Sequence, residues 1–163
     1  MQPYKITLIG HRDIYEYRKI RDGLNTLLRL LMHKKPYLEI YLGRNGDFDL
    51  LATSVVRKIQ DDCGRAYCAM TLVLPYTLAN MDYYERHYDS IFIPEFATRV
   101  HPKNAITLRN RWMVEECDLF VCYVEHPRGG ANQALKYAKK LRKQIINLAS
   151  NEDLEKIYDA DSI

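Results

Sequence analysis

Three glycine-bearing turns hold the residues best suited to chemistry: Gly10-His11-Arg12, Gly43-Arg44-Asn45-Gly46-Asp47-Phe48-Asp49 and Arg128-Gly129-Gly130-Ala131. Each follows a short apolar run and precedes a helix-like pattern, which points to phosphate binding. Glycine lets a backbone approach a ligand closely, and a helix N-terminus offers unpaired N–H groups to an anion. Arg12 could grip a phosphate with paired donors, or pair with a carboxylate such as Asp49. His11 could donate to the ligand or order the turn. Gly43, Arg44, Asn45 and Gly46 could offer backbone donors while Asp49 accepts a ribose hydroxyl, although an aspartate at a helix start also serves as a cap. Arg109 lies three residues before Trp112 on one helical face and is the further cation expected at the pocket, with Arg111 pointing elsewhere. Arg128, Gly129, Gly130 and Ala131 read as a turn into a helix N-terminus. No catalytic residue is assigned.

The elements that must position these turns alternate in type. Strands are predicted at 4–9, 38–42, 69–74, 90–93, 118–124 and 144–148. Asp13 and Glu16 suggest a capping box opening a helix with Ile20, Leu24, Leu27, Leu28 and Leu31 on one face. A second helix from Asp47 buries Leu51, Ala52, Val55, Val56 and Ile59 and ends at Gly64. A short helix is predicted over 81–87. Another over 104–117 turns Leu108, Trp112 and Met113 partly inward, and one over 131–142 buries Ala134, Leu135, Ala138 and Leu141. Strand–helix alternation predicts parallel pairing with right-handed crossovers, and the near-continuous apolar runs fit strands covered on both faces. The fold class expected is α/β: a single Rossmann-like three-layer domain with a mainly parallel sheet. It spans 1–148, with an irregular, tyrosine-rich excursion at 76–103, and an acidic tail follows at 149–163, either docked around 154–158 or frayed.

Composition narrows the function. At 163 residues the chain suits one domain, and a net charge of +3 is too small to argue for nucleic acid. The N-terminus enters a strand at once and no apolar stretch reaches membrane-spanning length, so a cytoplasmic protein is expected, with no membrane partner. Four cysteines at C-x4-C spacing read as buried thiols rather than metal ligands, and the five histidines lack metal spacing, so no metal is expected. His33, His87 and His126 are read as surface residues. The basic stretch Lys136, Lys139, Lys140, Arg142 and Lys143 reads first as a solvated face and second as a nucleic-acid contact. The tyrosines of 76–103 read first as a lid on the sheet edge and second as a base-stacking surface. There is no Walker-type G-x4-G-K-S/T loop.

Several blocks recur, in this order, in one group: Leu8-Ile9-Gly10-His11-Arg12, Gly43 to Asp49 with Leu50-Leu51-Ala52, Val73-Leu74-Pro75-Tyr76, and Arg109-Asn110-Arg111-Trp112-Met113-Val114. They continue through Asp118-Leu119-Phe120-Val121 to Gly129-Gly130, Tyr137-Ala138-Lys139-Lys140 and Ile145-Ile146-Asn147. Together they resemble the SLOG superfamily, in its YpsA-like branch, over nearly the whole chain up to the tail. The resemblance implies a Rossmann-like domain for nucleotides or nucleotide-derived ligands such as ADP-ribose, with DprA, the LOG phosphoribohydrolases and Moco-carrier-type proteins as relatives. It implies a pocket lined by Gly10, His11, Arg12, Gly43, Asp49, Arg109, Gly129 and Gly130. There are departures. The commoner G-G-A-x-G-x-D loop has its glycines redistributed here, and Ala131 replaces a threonine. Arg109 matches the LOG arginine's spacing, but Leu135 stands where the LOG glutamate would be and Asn132-Gln133 replace its G-T pair.

The expected function is therefore binding of a nucleotide-derived small molecule as a sensor or adaptor, with no required cofactor. The alternative is an N-glycosidic hydrolase acting on a nucleotide, with Asp49, Glu115 or Glu116 replacing the missing glutamate. DprA-like binding of single-stranded DNA ranks lowest, and homo-oligomerisation is left open.

Overall fold

The computed structural model describes residues 2–95 and 99–159. Six strands, β1 (Tyr4–Gly10), β2 (Leu38–Leu42), β3 (Cys68–Val73), β4 (Ser90–Phe92), β5 (Leu119–Tyr123) and β6 (Gln144–Asn147), form one sheet in the order β4-β3-β2-β1-β5-β6. Every described pairing is parallel. The helices are α1 (Tyr17–Lys34), α2 (Asp47–Cys63), α3 (Met81–His87), α4 (Pro102–Glu116), α5 (Gly129–Lys140) and α6 (Asn151–Tyr158).

Strand periodicity divides the core in two. Leu119, Val121 and Tyr123 face the cluster built with α1, α2 and α6, while Phe120, Cys122 and Val124 face the one built with α4 and α5. Both faces are covered, as an all-parallel sheet requires. The result is a Rossmann-like three-layer α/β fold. From β1 the chain winds one way to β4, then returns to place β5 on the other side of β1. That reversal opens a crevice at the carboxyl ends of β1 and β5.

The first turn of α2 closes over the end of β1. Phe48 is fully buried, and a Cβ on Gly10 would stand 2.2 Å from its Cγ, so only glycine admits the ring. Asp47 N–H donates to the Arg12 carbonyl at 2.7 Å, and Ile14 N–H to Asp47 Oδ2 at 3.4 Å. Gly46 precedes the helix with φ +108°, and a Cβ there would lie 2.7 Å from Arg12 Cα.

These ties account for a correction at α1. The capping box of Asp13 and Glu16 does not form. Buried Ile14 and the bond to Asp47 hold 11–16 in an irregular, bent path, and the helix starts at Tyr17 with Glu16 at its N-cap making no side-chain cap bond. Helix α4 starts earlier than expected, at Pro102, capped by the His101 ring, which accepts from Lys103 N–H. Helix α5 takes in Gly129 and Gly130 and ends at Lys140, which leaves Leu141 exposed rather than buried. Leu51 is only half-buried.

The 76–103 segment supplies the edge strand β4, whose Phe92 stacks on Trp112 (centroids 4.4 Å apart). Its residues 96–98 lie outside the described set. The acidic tail docks: Ser150 caps α6 by accepting from Asp153 N–H, Asp153 accepts from Asn147 N–H, and Leu154 and Ile157 are buried. Gly23 of α1 makes the room, since a Cβ there would meet Leu154 Cδ2 at 2.9 Å. The last residues of the acidic tail, 160–163, lie outside the described set.

Gly10→Ala is expected to lower stability by roughly 1–3 kcal/mol through overpacking, read as a fall in the urea midpoint at unchanged slope. The same substitution in a Phe48→Leu background should cost less; equal costs in both backgrounds would remove the close approach as the cause.

Candidate functional site

The carboxyl ends of β1, β2 and β5 converge on one cavity of about 390 Å3. Gly10, His11, Arg12, Gly43, Asn45, Asp49, Arg109, Arg128, Gly129, Gly130 and Ala131 all line it, so most of the expected site residues come together. Arg44 and Gly46 do not. The Arg44 guanidinium lies over the Tyr84 ring at 5.8 Å, and Gly46 serves the tight entry to α2.

His11 turns out to order the loop. Its ring is buried, and Nε2 accepts from the Glu125 N–H at 2.9 Å and the His126 N–H at 3.4 Å. Arg128 N–H donates to His126 Nδ1 at 3.3 Å, and the two imidazoles stack with centroids 3.7 Å apart. Pro127 has no N–H. The backbone donors of the 125–128 loop are thus all taken by imidazole nitrogens. What remains is the first turn of α5, whose N–H groups have no intrahelical acceptor and open on the cavity. An Nε2 that accepts must leave the proton on Nδ1. Burial and neighbouring His126 push the His11 pKa down, partly opposed by Glu125. His126, read from the sequence as a surface residue, is half-buried in this stack; nothing in its spacing signalled the partner.

The second loop is not a free anion cradle. Asn45 N–H donates to the Asp49 carboxylate and Asp47 N–H to Arg12 O, so two of its donors are spent within the protein. Asp49 is therefore a cap as well as a cavity-lining group. Asp49 Oδ2 and Arg109 Nη1 both press on Gly43, at 3.1 and 3.3 Å from where a Cβ would be. Burial raises the Asp49 carboxyl to about 7, against the opposing pull of Arg109 and the Asn45 N–H. Arg12 makes no pair with Asp49 among the described ion pairs, which removes that alternative for Arg12.

Arg109 is the buried cation of the site. Nη1 donates to the Val73 carbonyl and Nε to Asn110 Oδ1, both at 2.9 Å. Burial lowers its pKa and Asp49 opposes that. Sequence reasoning missed Asn110, although it adjoins Arg109 in a quoted block. It also missed Asp13, Ile106 and Met113, which line the cavity as well. Glu115 and Glu116 do not reach it: Glu115 accepts from Tyr137 Oη, and Glu116 pairs with Lys5. Leu135 is buried in the α4–α5 core. Lys143 donates to the Glu115 and Cys117 carbonyls, so it ends α4 rather than standing on a solvated face. No group of three or more metal-ligating side chains occurs among the described residues, and no described helix is long and apolar enough to cross a membrane.

Around this cavity stand three arginines, Arg12, Arg109 and Arg128, against Asp13 and an Asp49 that is only partly ionised at neutral pH. Its electrostatic bias is positive, and an anion is the ligand it suits.

Two pH effects follow. A carboxyl raised to about 7 on folding costs stability as pH climbs from the ordinary aspartate value through 7. Asp49→Asn should therefore be more stable than wild type at pH 8, by at most about 4 kcal/mol, with the advantage vanishing by pH 4; urea melts at the two pH values measure it. The lowered His11 value acts oppositely: its contribution is complete above pH about 6.5 and is lost as pH falls through the folded value. Nitrogen-15 spectra at pH 7 should show His11 neutral with the proton on Nδ1. A ring protonated on both nitrogens there would contradict the loop's bonding.

No family model matches the chain, and no curated protein is significantly similar to it. Solved structures are similar. DprA from Streptococcus pneumoniae aligns with a TM-score of 0.64 at 15% identity, over 96% of this chain and 56% of that one. DprA from Helicobacter pylori, described for its single-stranded DNA binding mode, aligns at 0.59 and 16% identity, over 98% and 74%. The molybdenum cofactor binding protein of Rippkaea orientalis aligns at 0.60 and 14% identity, over 99% and 87%. The chain thus spans little more than half the length of the pneumococcal DprA. What it shares with all three is the Rossmann-like fold, and DprA and Moco-carrier-type proteins are among the relatives that the SLOG resemblance named.

Proposed function

We propose that this chain is a SLOG-type binding module of the YpsA-like branch, holding a nucleotide or nucleotide-derived ligand and acting as a sensor or adaptor. The observation that carries the reading is a single cavity at the β1–β5 switch point, where the open N-terminus of α5 faces Arg12, Arg109 and Arg128. Its volume, about 390 Å3, falls in the range of small-molecule sites. In this reading the phosphate lies over the first turn of α5, where dipole and N–H groups favour an anion. Ile9, Ile106 and Met113 give the cavity an apolar side on which a base or sugar face can rest. A molybdenum cofactor binding protein among the structural neighbours supports small-molecule binding in this fold.

A hydrolase is the second reading, and one observation favours it: an aspartate lining the cavity with its carboxyl near 7, suited to proton transfer at neutral pH. Of the three carboxylates considered from the sequence, only Asp49 lines the cavity. Base release from nucleoside monophosphates, lost in Asp49→Asn, would establish this reading over the first.

Calorimetry against NAD, ADP-ribose and linear and cyclic nucleotides should give saturable binding. Arg12→Ala and Arg128→Ala should each weaken it about tenfold, or about 1.4 kcal/mol, with the melting temperature unchanged because both side chains are exposed. Silence across the panel from folded protein would remove the proposal.

A further inference from the structure

The cavity does not end at α5. A second hollow of about 220 Å3 runs between α4 and α5 and shares Ile106, Asn110 and Gly130 with the first. Gly130 has no side chain, so nothing from α5 walls one hollow off from the other at that point. A Cβ there would stand 3.6 Å from Asn110 Nδ2, an ordinary contact, so a methyl fits but occupies the crest between the two. Asn110 Oδ1 is committed to Arg109 Nε at 2.9 Å, which fixes the amide and turns its N–H donors toward Gly130. The crest therefore combines a side-chain amide with the backbone donors of the α5 N-terminus. Beyond it cationic and polar groups stand around a mainly apolar floor: Arg111, lying over the Tyr137 ring at 5.3 Å, with Lys136, Thr107 and Gln133, beside Ala134 and the Tyr137 ring itself. No acidic residue lines this second hollow among the described residues.

We infer that the two hollows form one bipartite site for a small molecule made of two groups joined through phosphate, as in a dinucleotide. The bridging phosphate sits on the crest between Asn110 and the start of α5. One group fills the larger cavity and the other lies in the α4–α5 groove beside Tyr137. This rests on the nucleotide reading above and narrows it: a mononucleotide uses only the first hollow.

The test compares AMP with NAD by calorimetry on wild type, Gly130→Ala and Gln133→Trp, with melting temperatures to verify folding. Wild type should bind NAD at least tenfold more tightly than AMP. Gln133→Trp, which fills the groove, should erase that gain and leave AMP affinity unchanged; Gly130→Ala should erase it from the crest. Equal affinities in wild type, or a gain that survives both substitutions, would overturn the bipartite site while leaving mononucleotide binding intact. A gain seen with a short oligothymidylate but not with NAD would overturn the small-molecule assignment. Silence from every probe would remove the nucleotide reading and this inference with it.

Discussion

A guanidinium taken out of water must recover its hydrogen bonds inside the protein, and Arg109 does so by joining parts of the chain far apart in sequence. Its Nη1 donates to the last residue of β3 and its Nε to Asn110, while its charge leans on Asp49 at the start of α2. An uncompensated buried cation costs several kcal/mol, so the ends of β2 and β3 and the face of α4 are held to one arrangement. The same interaction sets the electrostatics of the cavity. Arg109 pulls the Asp49 carboxyl down, yet burial wins and raises it to about 7. The site keeps its positive bias because its own acid is partly neutral.

Around that anchor the backbone donors are distributed with economy. Two loops that look alike in sequence, each rich in glycine and each leading into a helix, have opposite outcomes. The loop before α2 spends donors on Asp49 and on the Arg12 carbonyl. The loop before α5 gives its donors to two stacked imidazoles and a proline removes another, so the first turn of the helix stays open. Only the second arrangement leaves an anion something to bind.

The fold was legible because burial on both sheet faces writes itself into the strands as continuous apolar runs, and into the helices as a one-sided stripe. The gathering of Gly10, Gly43 and Gly129 at one edge of the sheet followed from strand–helix alternation, because parallel strands put each such turn at their carboxyl ends. Side-chain partners were not legible. His126 carries no periodic signal, and its stack on His11 arises from a crossover that joins residues 115 positions apart. The failed capping box at Asp13 is similar: local propensity favoured a helix start, and the tertiary bond from Ile14 to Asp47 prevailed. Helix α6 was half visible, since its acidic residues signalled solvent while Leu154 needed the vacancy left by Gly23 on another element.

The strand order also bears on how the molecule is made. β1 pairs with β2 after some thirty residues, but its other edge awaits β5, with Ile6 opposite Leu119 and Ile9 opposite Cys122. During synthesis a central strand that carries the buried Ile6, Leu8 and Ile9 therefore keeps one side open until residues 119–123 have emerged. Pairings of such long sequence separation form slowly, and an open edge of this kind invites association with other nascent chains. The crevice between β1 and β5 closes only when β5 and the α5 that follows it have been made, so the growing chain stays open to chaperones and to misassembly along the seam that borders the cavity.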